Sequence, residues 1–233
     1  MKAGRRSIYV GAAAIVQLLT ACSGEPAANN SAAPSAEARN AAAPVADGQL
    51  VLVFGDSLYA GYGVAQNESF PFRLEQALKA RGLAAQVRNA GVSGETSLGG
   101  MQRLAFTLDG LPRKPDLLLL DLGGNDMLRG LAPEDSEKNL RAILDELKRR
   151  QIAVLLTGML AAPNMGADYG AKFNAIYPRL AKDYGLPLYP FFLDGVIGDP
   201  RLMQADSIHP NAAGVNVIVG RIAPVVAGLL KSA

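Results

Sequence analysis

Five short, mostly apolar segments restrict the fold of this chain more than any other feature of its sequence. Each is four to seven residues long, and four of them carry apolar side chains at successive positions and not only at alternate ones, whereas 87–90 is weaker. Strands that are apolar on both faces are typical of a parallel sheet covered by helices on each side. The segments are 49–54, 87–90, 116–122, 152–157 and 186–191.

Helical periodicity occupies much of the sequence between these segments. The stretch 133–150 opens with acidic residues and closes with basic ones, which suits the dipole of a helix. Strands alternating with helices predict an α/β protein with right-handed crossovers. We therefore predict a doubly wound, flavodoxin-like three-layer sandwich with a mainly parallel five-stranded sheet, whose ligands bind beyond the carboxyl ends of the strands. The predicted helices are 70–81, 133–150, 171–184 and 212–230.

The first 48 residues differ in composition from the rest. Three basic residues precede a short apolar run, which indicates a secretory signal over residues 1–21, because the run is too short to span a membrane. The Leu-Thr-Ala before Cys22 resembles a bacterial lipobox, in which the cysteine is lipidated; the alternative is a cleavable signal with an incidental cysteine. Residues 22–48 contain almost no large apolar side chain, so a disordered tether is predicted after the lipidated cysteine. The folded domain is predicted to span 49–233.

Charge and cysteine usage exclude several classes of function. The net charge is +2, and removal of the predicted signal with its three cations leaves a chain close to neutral, so no basic stripe remains for nucleic acid. One cysteine rules out an internal disulfide. One histidine, one cysteine and no carboxylates at ligand spacing predict that the protein uses no metal and no other cofactor.

His209 is the only histidine in the sequence, and it fixes the candidate base of any serine hydrolase chemistry. Ser57 follows the first apolar segment, where a strand-to-helix turn exposes a side chain to substrate. A serine becomes a nucleophile when an imidazole takes its proton and a carboxylate orients that imidazole. Asp206, three residues before His209, is placed to fold back onto the same ring. We predict a catalytic triad of Ser57, His209 and Asp206.

Polar motifs after the next two apolar segments predict an oxyanion hole. Gly94 has no side chain, so its backbone N–H can approach a substrate closely. Asn125 offers a side-chain NH₂ group, and the N–H of Ser57 is the third donor. Because all three follow strands, they are expected to converge on one edge of the sheet and stabilise a developing negative charge.

Other serines and carboxylates near these motifs receive structural interpretations. Asp56 adjoins Ser57 and is interpreted as a cap of a turn or helix. Ser93 lies in a glycine-rich turn, and Asp126 is expected to hold the loop of Asn125. Asp121 sits inside an apolar strand, where an unpaired carboxylate is costly, so it is interpreted as a buried hydrogen-bonding residue behind the site.

The ordered blocks around these residues resemble the SGNH hydrolases, also called the GDSL lipase/esterase superfamily. Ser57, Gly94, Asn125 and His209 match the four residues that name it, and Asp206 matches the aspartate of its Asp-x-x-His block. The resemblance implies the SGNH hydrolase fold and ester or thioester hydrolysis through an acyl-enzyme intermediate.

The likeness covers about residues 50–230. The stretches 92–97, 122–126 and 176–181 are similar to the thioesterase I, lysophospholipase and arylesterase branch. Glu95 departs from the aspartate frequent in that branch, and the difference is expected to be neutral.

We therefore expect a serine esterase, a carboxylic ester hydrolase that acts as a monomer on acyl esters, thioesters or lysolipids. Its lipid anchor is expected to place it on the periplasmic face of a bacterial membrane, and Ser23 after the cysteine favours the outer membrane. Two alternatives remain. One is a carbohydrate acetylesterase, and the other is a binding lipoprotein that has lost catalysis.

Overall fold

The sheet of this protein contains five parallel strands in the order β2-β1-β3-β4-β5 within residues 48–232, the part of the chain that the computed structural model describes. Cys22, which is predicted to be lipidated, lies outside the described residues, as do the predicted signal 1–21 and nearly all of the predicted tether. The strands are β1 (Gln49–Gly55), β2 (Ala85–Gly91), β3 (Leu117–Asp121), β4 (Val154–Thr157) and β5 (Leu188–Tyr189). The predicted α/β class and the five predicted strands are confirmed.

Strands β1 and β3 lie at the centre of the sheet and are almost entirely buried. Val53 pairs with Asn89 of β2 on one side and with Leu119 of β3 on the other. Their continuous apolar sequences follow from this position, because helices cover both faces. The strand order changes direction between β1 and β3, and doubly wound folds bind ligands at such a switch point.

The helices pack in two groups, as right-handed crossovers require. The long helices are α2 (Phe70–Lys79), α3 (Ser97–Asp109), α5 (Pro133–Arg149), α6 (Ala167–Asn174), α7 (Ile176–Tyr184) and α8 (Ala212–Ser232). Helix α2 contacts α8, whereas α3, α6 and α7 all contact α5. Two short helices, α1 (Ser57–Ala60) and α4 (Gly124–Leu128), follow β1 and β3 directly.

Helix α3 is absent from the helices predicted from the sequence. Gly99 and Gly100 in its first turn lower the helix propensity. The helix forms because Thr96 caps it, accepting a hydrogen bond from the N–H of Gly99 at 3.3 Å. A Cβ atom at Gly100 would lie 2.3 Å from the Leu122 side chain, so the glycine permits close packing on the core.

The single helix predicted over 171–184 is wrong, since two helices meet there at Ala175. Pro178 explains the break. It has no N–H to donate to the carbonyl of Asn174, and in a continuous helix its ring would clash with that carbonyl. Asn174 is accordingly the last residue of α6. Strand β5 is also shorter than predicted, because Pro187 and Pro190 flank its two residues and cannot donate to a neighbouring strand.

Helix α8 is the longest helix of the described residues. By length and composition alone it is apolar enough to cross a membrane, but half of its apolar window is buried within the fold. Val215, Ile218, Ile222 and Val226 repeat at helical spacing and are buried. The end of α8 meets the start of β1, where the side chain of Gln49 donates to the Leu230 carbonyl at 2.6 Å. Both ends of the described chain therefore lie at the amino edge of the sheet.

Candidate active site

Ser57, His209 and Asp206 form a continuous hydrogen-bonded row at the carboxyl edge of the sheet. The Oγ atom of Ser57 is 2.8 Å from Nε2 of His209, and Nδ1 of the same ring is 2.7 Å from Oδ2 of Asp206. The structure brings together all three residues of the predicted triad, although 152 positions separate the serine from the histidine. The order of contacts is that of nucleophile, base and orienting carboxylate.

The end of β1 places the serine. Ser57 is the first residue of α1, and its side chain is almost fully buried. Asp56 caps this helix, accepting a hydrogen bond from the N–H of Leu58 at 3.0 Å. The interpretation of Asp56 as a cap is confirmed, and the cap fixes the turn on which Ser57 is presented.

The Asp206 carboxylate organises the loop that carries His209. Its Oδ1 atom accepts from the N–H of Ile208 at 2.9 Å and from the N–H of His209 at 3.0 Å, which leaves Oδ2 for the ring. Ser207 adopts φ 58°, a left-handed conformation uncommon for non-glycine residues, and this turns the chain back on itself. Partial burial raises the pKa of Asp206, but hydrogen bonds from His209 and Ile208 outweigh it and bring the pKa to about 2. The carboxylate is therefore charged throughout the physiological range.

Two of the three predicted oxyanion donors, Ser57 and Asn125, line one cavity. Gly94 lies in the loop after β2, which is joined to the end of β1 by a hydrogen bond from the N–H of Val92 to the carbonyl of Gly55 at 3.0 Å. Among residues 48–232, neither the N–H of Ser57 nor that of Gly94 has a hydrogen-bond acceptor. Gly94 adopts φ 78°, which explains why this loop requires glycine. The side chain of Asn125 donates one N–H to Oδ2 of Asp56 at 3.0 Å, and its second N–H is left for a ligand.

Two buried carboxyl groups lie behind the serine. Burial raises the pKa of Asp56 to about 6, against hydrogen bonds from Leu58 and Asn125 that lower it. Burial also raises the pKa of Asp121 well above its usual value, and the neighbouring charge of Asp56 adds to this. Asp121 accepts from the hydroxyl of Thr157 at 3.0 Å, while its other oxygen has no partner. The interpretation of Asp121 as a buried hydrogen-bonding residue is confirmed.

The rival carboxylate and serine occupy structural positions. Asp126 accepts from the N–H of Ser97 at 2.8 Å and from the hydroxyl of Ser136 at 3.0 Å, so it joins α4 to α3 and α5. Ser93 is exposed in the turn before Gly94. Neither residue contacts His209.

Two arginines hold the Gly94 loop. Arg129 donates to the carbonyl of Gly94 at 2.6 Å, so its guanidinium is engaged by the fold. Glu95 forms an ion pair with Arg103, whose side chain stacks over the Phe54 ring at 4.0 Å. The Glu95 side chain is only 7% exposed. The presence of glutamate instead of aspartate at position 95 was expected to be neutral. In the structure, the ion pair of Glu95 with Arg103 helps to place the loop.

An apolar cavity of about 530 Å³ opens beside Ser57. Its polar lining residues are Asp56, Ser57, Asn125 and Ser207. The segments 127–131 after β3 and 159–165 after β4 contribute to the wall. A third contribution comes from the segment after β5. Wall residues include Met127, Leu128, Met159, Leu160, Phe191 and Ile197.

Two contacts of His209 were missed in the sequence. The ring centroid of Tyr62 lies 4.5 Å from that of the imidazole. The side chain of Gln204 donates hydrogen bonds to the carbonyls of Tyr62 and Pro210, in the loops on either side. Only their positions in the sequence could have indicated these contacts. Tyr62 follows the Gly-Asp-Ser-Leu block closely, and Gln204 precedes Asp206 by two residues. No group of three or more potential metal ligands occurs among the described residues.

Comparisons with known proteins agree with this geometry. A model of the GDSL-like Lipase/Acylhydrolase family matches residues 53–217. The chain is 40% identical over 161 residues to thioesterase 1/protease 1/lysophospholipase L1 of Escherichia coli, covering 69% of this chain and 75% of that protein. It is 39% identical over 162 residues to an arylesterase of Vibrio mimicus, covering 70% of this chain and 80% of that protein.

A solved structure of similar fold is AlinE4, described as an SGNH-hydrolase family esterase. The two chains are 49% identical, with a TM-score of 0.68, over 78% of this chain and 97% of that one. The predicted SGNH hydrolase fold is thereby confirmed. The chain belongs to the GDSL-like lipase/acylhydrolase family, the SGNH hydrolases, and is a serine esterase that hydrolyses carboxylic esters.

Proposed function

We propose that the enzyme hydrolyses acyl esters through an acyl-enzyme intermediate on Ser57. His209 takes the proton from Ser57 as the oxygen attacks the ester carbonyl carbon. Asp206 holds the ring and stabilises the imidazolium that forms. His209 then returns the proton to the leaving alkoxide as the ester C–O bond breaks. His209 then takes a proton from water as the water oxygen attacks the acyl carbon. The bond between that carbon and Oγ of Ser57 breaks, His209 returns the proton to Oγ, and the acid leaves.

The negative charge on the carbonyl oxygen requires donors in both tetrahedral intermediates. We assign the backbone N–H groups of Ser57 and Gly94 and the side-chain amide of Asn125 to this task. The observation that carries the proposal is the row of 2.8 Å and 2.7 Å contacts from Ser57 through His209 to Asp206, which begins at a serine that lines a cavity. Within one chain the set is complete, which supports action as a monomer.

We propose medium-chain acyl esters, and thioesters or lysolipids with such chains, as the substrates. The cavity wall consists of methionine, leucine, alanine and phenylalanine side chains, and it lacks the clustered polar groups that a sugar needs. Each methylene buried there contributes up to about 0.8 kcal/mol. The names of the relatives from Escherichia coli and Vibrio mimicus, a thioesterase/lysophospholipase and an arylesterase, support this substrate class.

Two measurements test the proposal. A fluorophosphonate should label wild type but not Ser57→Ala, whose esterase turnover should fall by up to about 10⁶-fold while the protein stays folded. Ser93→Ala is the matched control and should keep both properties. Labelling of Ser57→Ala, or retention of a substantial part of its activity, would assign the nucleophile to another residue. A wild-type protein that is neither labelled nor active would instead be a binding protein.

The second measurement is kcat/KM for nitrophenyl esters of increasing acyl length. We expect kcat/KM to rise from acetyl to medium chains. A maximum at acetyl, with release of acetate from acetylated sugars, would instead support a carbohydrate acetylesterase.

We further propose that a lipid on Cys22 anchors the enzyme to the periplasmic face of a bacterial membrane, and Ser23 favours the outer membrane. The basic and apolar segments before Leu-Thr-Ala-Cys support this. Cys22→Ser in the full chain should abolish lipid labelling and move the esterase from the membrane fraction. Ser23→Ala is a control that keeps the cysteine. Unchanged membrane association of Cys22→Ser would contradict the anchor.

A further inference from the structure

The phenol ring of Tyr62 lies against the imidazole of His209. The ring centroids are 4.5 Å apart, and the planes are inclined at 39°. The end of α1 places Tyr62 there, since its N–H donates to the carbonyl of Ser57 at 3.1 Å. The side chain is 52% exposed, so hydrophobic burial alone does not hold the ring in this position.

Gln204 joins the loop of Tyr62 to the loop of His209. Its Nε2 atom donates to the carbonyl of Tyr62 at 2.8 Å and to the carbonyl of Pro210 at 3.0 Å. A side-chain amide has two N–H groups, so both are used in this bridge. The backbone N–H of Gln204 also donates to the carbonyl of His209 at 2.8 Å. The side chain of Gln204 thus connects Tyr62, in the loop after α1, to Pro210, which follows His209.

Glycine at position 63 makes this bridge sterically possible. A Cβ atom there would lie 2.0 Å from Oε1 of Gln204, so the amide packs directly on the backbone of Gly63. The residue adopts φ 71°, which also favours glycine. The half-buried side chain of Gln204 therefore lies between the two loops that it connects.

We propose that Tyr62 and Gln204 are positioning residues for His209. The inference rests on the proposed function, in which His209 is the base. Asp206 fixes one edge of the imidazole, and the ring of Tyr62 limits rotation and tilt of its face. Gln204 keeps Tyr62 at contact distance by holding the carbonyls of both loops. The Nε2 atom of His209 is thereby kept on Ser57.

The contact between the rings also changes during the reaction. When His209 takes the proton from Ser57 it becomes a cation, and a cation beside an aromatic face is stabilised by the ring quadrupole. An interaction that is stronger in the transition state than in the ground state raises turnover without changing substrate affinity. The expected signature of Tyr62 is therefore a change in kcat.

Variants of Tyr62 test the ring contact. Tyr62→Leu should lower kcat by about tenfold, with KM nearly unchanged. Tyr62→Phe keeps the ring and should retain near wild-type turnover. Phe106→Leu, at an 83% exposed aromatic position of α3, is the control and should behave like wild type. A rise in KM with normal kcat would make Tyr62 a substrate contact instead, and an unchanged kcat would also overturn the proposal.

Variants of Gln204 test the bridge. Gln204→Met has similar length but no donors, and it should lower kcat by about 10- to 100-fold through misplacement of the imidazole. The rate of fluorophosphonate labelling should fall by a similar factor. Gln102→Met, at an exposed position of α3, serves as the matched control. Urea unfolding measures stability separately: lower stability with wild-type kcat per folded molecule would reduce Gln204 to a structural residue.

A double variant tests whether the two residues act through one contact. If Gln204 works by placing Tyr62, then Tyr62→Leu in the Gln204→Met background should cause little further loss of kcat. Fully additive losses would reject this coupling. Failure of the proposed function is distinguishable, because labelling or activity would then persist in Ser57→Ala, a variant in which Tyr62 and Gln204 are intact.

Discussion

Asp56 and Asn125 are joined by a side-chain hydrogen bond of 3.0 Å, although they lie 69 positions apart in the chain. Asp56 is also the cap of the helix that begins with Ser57. The carboxylate therefore ties the proposed third oxyanion donor to the turn of the proposed nucleophile. An amide held by one N–H in this way can direct the other without reorganisation when charge develops.

Replacing Asn125 by alanine should remove one of three oxyanion donors. We expect kcat to fall by about 10²–10³-fold with KM nearly unchanged, since the donor acts on charge formed in the transition state. Steady-state kinetics with a nitrophenyl ester measure both constants. Asn216→Ala, on the exposed face of α8, is the control. A large rise in KM at normal kcat would assign Asn125 to substrate binding.

Replacing Asp206 by asparagine should lower kcat by about 10³–10⁴-fold, because an amide does not stabilise the imidazolium and permits the wrong tautomer. The backbone hydrogen bonds from Ile208 and His209 can still be accepted by the amide oxygen, so the loop should keep its conformation. Near-normal kcat in Asp206→Asn would show that another group orients His209.

The buried carboxyl of Asp121 predicts a specific pH dependence of stability. Its pKa is raised in the folded state, so above about pH 3.9 the folded protein retains a proton that the unfolded chain loses. The unfolding free energy of wild type should therefore decline as pH rises, by up to about 1.4 kcal/mol per pH unit from this group. Asp121→Asn removes the ionisation, so its stability relative to wild type should increase from pH 5 to pH 8.

Urea unfolding at several pH values measures this difference. Asp168→Asn, at an exposed position of α6, is the control and should follow the pH dependence of wild type. Asp56, whose pKa burial raises to about 6, is present in both proteins, and its charge raises the pKa of Asp121 further in wild type only. A constant difference between wild type and Asp121→Asn across this range would contradict a raised pKa.

Narrowing the cavity should shorten the preferred acyl chain. Ala162 lines the cavity wall, and Ala162→Phe fills space that a longer chain would occupy. We expect the maximum of kcat/KM in the nitrophenyl ester series to shift toward shorter acids, with acetyl ester hydrolysis little changed. Ala171→Phe, exposed on α6, adds the same side chain outside the cavity and should leave the series unaltered. An equal loss at all chain lengths would place the acyl group elsewhere.

The sequence predicted most of the sheet because the central strands are apolar on both faces, and burial of this kind leaves a direct pattern. It also predicted which residues meet at the site, since polar blocks after parallel strands converge on one edge. Helix α3 was not predicted because its glycines lower the helix propensity of the segment. The Thr96 cap and the packing of Gly100 on Leu122 stabilise the helix instead. Pro178 indicated the break between α6 and α7, but the apolar periodicity continues through it and favoured a single helix.

Contacts that depend on the path of loops were not predictable from one sequence. The bridge from Gln204 to Tyr62 and Pro210 joins distant segments through backbone carbonyls, which every residue type possesses. The ion pair of Glu95 with Arg103 likewise depends on the turn after β2. Side-chain identity alone carries little information about such partners.

The hydrogen bond between Gln49 and Leu230 has a practical consequence for engineering. It brings the two ends of residues 48–232 together, and domains with adjacent ends tolerate insertion into a loop of another protein. Strand β1 runs about 23 Å from that junction to the turn of Ser57, at roughly 3.3 Å per residue. A host fused at this junction would therefore meet the face of the esterase remote from the cavity, leaving its mouth open to substrate.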